Sequence, residues 1–463
     1  MKSCFLALAT MFVMQMAMAS SFEKVSEKII FNGEKIFEYR LSNGLRILVL
    51  PRHQAKVLSY GIWFKVGSVD EKLDPKLKKT GLAHLFEHMM FRGTTKYPDP
   101  MFTELTSRMG AEGQNATTYY YRTNYFESIP SVELEKLMEL ESDRMRNLKI
   151  IKEGFEKEKG AVVGELRRHL DNPGSVAHDE LMALAFEKAP FHWNVIGSED
   201  EIRGFTLDEA NYFYRTFYAP NNATIIAVGD IEPEKLVKLT VKYYGSMPAQ
   251  ELPTIAMPVE PEQEKERRKE VRHPQATSEL LMMAYRIPPI TSDEVVPLSL
   301  LSTHLSTGME ARLRKLLVDT GIAVSASGGP SSQPDVYLFS VRLTENRHAD
   351  QALRVIDKEL GSLQKAPISK EAFERALNQE LLSLYSDISE NASLGSFLGE
   401  NLMLSGNYLR GFEIIESYRK TTSLDIQKAA AKYLRPENRS IVVVKPQGKT
   451  KRASQPPKGD KAP

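Results

Sequence analysis

The chain has 463 residues, 61 of them basic, 60 acidic and one a cysteine, and hydrophobic types make up 42% of it. At about 150 residues per domain, that length predicts two to three domains with room for large cores. A net charge of +1 argues against a nucleic-acid binder, the single cysteine excludes a disulfide framework or a four-cysteine zinc module, and no apolar run reaches the ~18 residues of a membrane span.

Both ends read as appendages. Lys2, the apolar run over residues 5–18 and the small-residue site Ala17-Met18-Ala19 have the form of a cleavable secretory signal over residues 1–19. Cleavage after Ala19 discards Cys4 and leaves a cysteine-free mature chain, which suits a periplasmic or secreted location. Residues 445–463 are rich in Pro, Gly and Lys and are expected to form a disordered basic tail, leaving the folded body mildly acidic.

Between these ends, residues 37–41 and 45–50 are β-rich runs flanking Asn43-Gly44, a hairpin signal, and residues 57–66 predict a third strand. Helical periodicity follows over 81–91, 99–109, 132–148 and 155–170. An internal repeat sets the larger organisation. Residues 217–228 resemble 433–444, with Pro220 matching Pro436, Asn222 matching Asn438, Thr224 matching Ser440 and Ile225 matching Ile441. Each copy predicts a helix, a Pro-Asn turn and a β-branched strand. The Pro- and Glu-rich stretch 246–264 reads as a linker. The chain thus divides into a first domain (20–245), the linker (246–264), a homologous second domain (265–444) and the tail. Each domain is expected to be α+β, an antiparallel sheet with helices packed on one face.

The chemistry concentrates in His84-Leu85-Phe86-Glu87-His88. On a helix, His84 and His88 stand one turn apart on one face and can share a metal ion. Glu87 sits beside them, within reach of a water such an ion would hold. H-x-x-E-H is the inverted form of the H-E-x-x-H zinc motif. A catalytic zinc takes three protein ligands plus water, so a third ligand is needed from elsewhere. Glu158 and Glu165 lie two turns apart on the helix predicted over 155–170, and His169, one turn further, is a rival. One carboxylate can ligate while the other supports a ligating histidine.

The stretch Thr80-Gly-Leu-Ala-His84-Leu-Phe-Glu87-His88-Met-Met-Phe-Arg-Gly-Thr94 resembles the signature of the pitrilysin/insulinase (M16) zinc peptidases, and most closely their short, two-domain, processing-peptidase-like members. Glu158 and Glu165 match that family's E-x6-E, 77 residues after the second histidine in the case of Glu165. The resemblance implies one zinc ion per chain held by His84, His88 and Glu165, with Glu158 as the supporting carboxylate and Glu87 as general base. It also implies that Asn115, Ala116 and Thr118 lie on an edge strand that pairs with an extended peptide substrate. Gly44, Gly67-Ser68, Val195-Ile196-Gly197 and Tyr218-Ala-Pro-Asn221-Asn222 fit the same pattern.

The second domain departs from it. Active members resemble L-R-E-x-R-G-L-A-Y there, whose Arg and Tyr grip the substrate. This chain has Val318 and Val324 at those positions, one residue short, and no second metal motif, His304 standing alone. The resemblance therefore implies a metal-bearing subunit whose homologous partner supplies the Arg/Tyr clamp, a heterodimer, with a homodimer as the other arrangement. The alternative is a non-catalytic structural or peptide-binding core subunit of a larger assembly.

Overall fold

The computed structural model describes residues 22–447 apart from Phe31 and Gln333; the signal predicted for 1–19 and all but the first three residues of the predicted tail fall outside them. Two sheets organise the chain. The first contains β1 (Phe22–Ile29), β2 (Lys35–Leu41), β3 (Arg46–Pro51), β4 (Val57–Phe64), β5 (Glu112–Thr118), β6 (Thr123–Pro130) and β7 (Ala223–Gly229), in the order β1-β2-β3-β7-β4-β6-β5. The second contains β8 (Arg267–His273), β9 (Leu280–Arg286), β10 (Ala323–Ser331), β11 (Val336–Leu343) and β12 (Arg439–Pro446), in the order β10-β11-β9-β12-β8.

The repeat extends well beyond the two matching segments. Without β1 and β2, the first sheet runs β5-β6-β4-β7-β3, and the second repeats that path strand for strand. The predicted hairpin joins β2 to β3. Gly44 takes φ +91°, and Asn43 donates to the carbonyls of Tyr244 and Met247 at 2.9 and 3.0 Å, tying the turn to the far end of the domain.

The sheets are mixed, which corrects the expectation of antiparallel ones. β3 runs parallel to β7 and β8 parallel to β12, while the remaining pairs are antiparallel. β3 and β4 read as neighbours in sequence, but β7 inserts between them. A strand placed between two strands of opposite direction must run parallel to one of them. The predicted tail boundary also moves. Lys445 and Pro446 extend β12, opposite Arg272 and His273.

The first half has helices α1 (Leu82–Met89), α2 (Leu134–Asn147), α3 (Lys152–Leu170), α4 (Pro173–Ala185), α5 (Leu207–Phe217) and α6 (Pro233–Tyr244); α1, α2 and α3 fall on predicted segments, as does a helix at Met101–Arg108, α5 is the helix expected before the Pro-Asn turn, and α4 and α6 lie outside the predicted elements. Ile47, Val49, Tyr60, Ile62 and Ile225 on one sheet face pack against Phe86 of α1, Leu137 of α2, Phe155 of α3, Phe213 of α5 and Leu236 of α6. The second half has α7 (Val296–Ser306), α8 (Ala349–Lys365), α9 (Asn391–Ser405) and α10 (Ser423–Tyr433). Its inner face presents Leu281, Met283, Phe339 and Val443 to α7, α8 and α10.

The opposite faces are covered as well, each by a helix of the other half. Leu394, Leu398 and Leu402 of α9 cover Leu48, Leu50, Trp63, Ile226 and Val228 of the first sheet. In return, Ala177, Leu181 and Met182 of α4 cover Leu280, Met282, Ala284, Val442 and Val444 of the second. Two-sided burial explains why β7 is buried at all seven positions and why its sequence is a continuous apolar run. At about 1.5–3 kcal/mol per fully buried large aliphatic side chain, the exchanged helices join the halves strongly. The segment between α6 and β8 has no helix or strand, yet it is docked. Glu260 accepts the backbone N–H groups of Glu187, Lys188 and Ala189 at 2.8 Å each. Among the described residues no helix is long and apolar enough to cross a membrane.

Candidate metal centre

Helix α1 starts at Gly81, a residue with φ +98° whose Cβ, were one present, would lie 2.3 Å from the Ile196 carbonyl oxygen. Only glycine fits both constraints. The orphan N–H groups of this first turn are satisfied from a distance. The fully buried Glu71 accepts those of Gly81 and Ala83, each at 3.0 Å, and that of Leu82. Burial pushes the Glu71 carboxyl up, to about 8, while the three N–H groups oppose the shift. A carboxylate at a helix N-terminus also meets the positive end of the helix dipole.

This capped helix presents His84 and His88 with ring centres 4.9 Å apart. Glu165 of α3 comes to meet them. Its two oxygens lie 3.6 Å from His84 Nε2 and 3.4 Å from His88 Nε2. One ligand atom from each of the three residues can be chosen so that all lie within 4.8 Å of one another, and among the described residues this is the trio that could hold a metal ion. Zinc bonds of ~2.0–2.2 Å at tetrahedral angles put ligand atoms about 3.3–3.6 Å apart, the spacing that Glu165 keeps from both histidines. His169 does not join it. Its Nε2 pairs with Asp179 of α4 at 2.7 Å.

Around the trio a line of charge fixes His88. Glu158, 1% exposed, places an oxygen 3.5 Å from His88 Nδ1, and Arg92 lies 2.5 Å from its other oxygen while bonding Asp99 at 2.8 Å. Burial alone would raise the Glu158 carboxyl, but His88 and Arg92 outweigh it and hold the group below its ordinary range. The two facing carboxylates, Glu158 first, push the metal-free His88 up to about 9. Burial pushes His84 down to about 4, so His84 stays neutral with a lone pair to offer. Metal binding would replace the His88 proton with a dication between the same carboxylates. His84 Nδ1 is buried without a hydrogen-bond partner.

Glu87 points elsewhere. Thr118, the last residue of β5, donates its hydroxyl to a Glu87 oxygen at 2.7 Å. Burial raises the Glu87 carboxyl and Thr118 opposes that shift. β5 is the outer strand of its sheet, bonded to β6 alone, with Asn115 opposite Phe126 and the buried Ala116 opposite Tyr125. The helix that carries the histidines and an open sheet edge therefore meet at the Thr118–Glu87 hydrogen bond. Such an edge can accept an extended peptide as an added strand.

Among its described residues the second half brings no such group together. Val318 ends a π-helical turn (Arg314–Val318), and Val324 is 61% exposed on β10, the strand topologically equivalent to β5. His304 lies on α7 near Arg312 and Glu359. Glu71 and Arg92 are absent from the sequence-based expectations. Glu71 is ten residues from the helix it caps, with no periodic pattern between them, and Arg92 reads as an ordinary basic residue after a helix.

Two family models match the chain in turn. Residues 46–199 match the family model described as insulinase (peptidase family M16), and residues 204–380 match the one described as the peptidase M16 inactive domain. The zinc protease PqqE of Helicobacter pylori is 26% identical over 416 residues, covering 88% of this chain and 92% of that protein. The mitochondrial-processing peptidase subunit beta of Lentinula edodes is 23% identical over 410 residues, covering 85% and 86%. The crystal structure of a protease from Helicobacter pylori aligns with a TM-score of 0.83 at 25% identity, covering 92% of this chain and all of that one.

Proposed function

The chain belongs to the insulinase (M16) family of peptidases, and we propose that it is the metal-bearing chain of a zinc-dependent endopeptidase acting on peptides or small unfolded polypeptides. The observation that carries this reading is the meeting of His84, His88 and Glu165 beside Glu87, with Glu87 bonded to an open strand edge. His84, His88 and Glu165 would hold the zinc, and Glu158 would orient His88. Zinc bound there supplies a Lewis acid that acidifies water and polarises the scissile carbonyl. Glu87 takes a proton from the attacking water and delivers it to the departing amine. Substrate lies extended along Asn115–Thr118, its backbone completing the sheet, so selectivity comes from side-chain pockets rather than from the strand pairing.

Val318 and Val324, where the resemblance expects Arg and Tyr, support a homologous partner that grips the substrate. The same departure favours the rival reading, a subunit that binds peptides without cleaving them. The apolar leader and Ala17-Met18-Ala19 support export to the periplasm or beyond, with a mature N-terminus at Ser20.

Glu87→Gln separates the readings. It is expected to retain zinc and lose peptide cleavage by at least about 100-fold, the lower range for removing a general base. Cleavage by this variant at the parent rate would refute the assigned base. Parent cleavage that is as fast for the purified chain as for its mixture with any co-purifying chain would refute the partner.

A further inference from the structure

We propose that the metal-free half serves the hydrolytic site through one ion pair, Arg122–Glu400, in which both residues position the strand end that holds Glu87. This inference rests on the peptidase function proposed above. Arg122 lies in the turn between β5 and β6, only 5% exposed, and Glu400 lies on α9, the helix that the second half lays across the back of the first sheet.

Two of the three guanidinium nitrogens are engaged, one on the facing ends of β5 and β6 and one on α9, while Nε is buried without a hydrogen-bond partner among the described residues. One nitrogen donates to the Thr117 carbonyl at 3.2 Å, to the Thr117 hydroxyl and to Asn124 Oδ1 at 2.7 Å; the other donates to Glu400. The Tyr119 and Trp63 rings lie 4.5 and 5.2 Å from it. Thr117 and Thr118 are consecutive, and Thr118 donates to Glu87. The chain of contacts therefore runs from α9 through Glu400, Arg122 and Thr117 to Thr118 and the carboxylate of the hydrolytic helix.

A buried guanidinium needs a counter-charge, and among the described residues Arg122 has an ion pair with Glu400 alone. The Glu87 carboxylate of the first half feels the Arg122 charge as well, at longer range than the Glu400 pair. The docking that brings Glu400 there is specific too. At Gly399 an added Cβ would lie 2.2 Å from the Trp63 ring, so a glycine beside Glu400 is what lets α9 approach this strand. One residue of α9 makes room and the next reaches the turn. The half without metal thereby supplies the charge that keeps the Glu87 partner in place.

The test uses the full chain with zinc, in the variants Glu400→Gln, Glu400→Asp, Thr118→Val and the double Glu400→Gln/Thr118→Val. Hydrogen exchange is expected to rise several-fold over residues 112–123 in Glu400→Gln, with zinc content unchanged and the rest of the first sheet protected as in the parent. Peptide cleavage is expected to fall about 10- to 100-fold in kcat, the size of effect that follows from displacing a reacting group by up to an ångström. Glu400→Asp should recover most of the loss. The double variant should be no slower than the worse single, because both act on one contact. Unchanged exchange over 112–123 in Glu400→Gln, or losses that multiply in the double variant, would overturn the proposal. The expected exchange response in Glu400→Gln together with a parent that cleaves no peptide, alone or with its partner, overturns the peptidase reading instead.

Discussion

Helices α1 and α7 occupy equivalent places, each following the strand that pairs with the repeat's last strand (β4 with β7, β9 with β12) and each packing near the open edge strand, β5 or β10. They differ in what they carry and how they begin. α1 bears His84, Glu87 and His88 and is capped from a distance by Glu71. α7 bears His304 alone and begins locally, after a 3-10 turn (Asp293–Val295) in which Ser292 accepts from the N–H of Glu294. The fold therefore does not need α1 to be built as it is. The second half reaches the same architecture without a buried remote carboxylate, so Glu71 is a cost of the first half alone, carried where the site stands.

That contrast can be broken or sharpened by mutation. Glu165→Ala should weaken zinc affinity by more than the about 10–100-fold typical of groups that only orient ligands, and should abolish cleavage; chelator competition measures it. Glu71→Leu leaves three N–H groups of α1 without an acceptor and should destabilise the chain by about 2–3 kcal/mol, seen as a lower denaturation midpoint, with no matching cost from removing Ser292 by mutation to Ala. Glu158→Gln keeps the shape but removes the charge facing His88 and Arg92, and should lower zinc affinity about 10–100-fold. His304→Ala should leave zinc content and cleavage at the parent level; a loss of metal there would mean the second half holds a site after all.

Much of this was legible in order along the chain. The α1 motif is readable because two histidines and a glutamate at helical spacing can be recognised without tertiary information, and the repeat is readable because Pro-Asn turns and β-branched strands recur in both copies. Asn43-Gly44 marked its turn for a similar reason, since φ +91° at Gly44 selects the residue type. β1 was not foreseen. Its residues are almost all exposed and alternate without an apolar face, so pairing with β2 defines it rather than any pattern of its own. The mixed sheets are not legible in the sequence because local patterns do not say that β7 lies between β3 and β4.

The sequence by itself determined the repeat, the helix with its metal-ligand spacing and the absence of that motif from the second half, all of which depend on residues close together in the chain. Residue spacing left Glu165 and His169 as rivals, with the family resemblance favouring Glu165; only the tertiary structure decided that Glu165 faces the histidines while His169 pairs with Asp179, that Glu71 caps α1, and that α4 and α9 cross to the opposite sheets. Those outcomes depend on contacts between segments tens to hundreds of residues apart. Such contacts are selected by which face each helix buries and by where each buried charge finds its partner, and no local spacing encodes them.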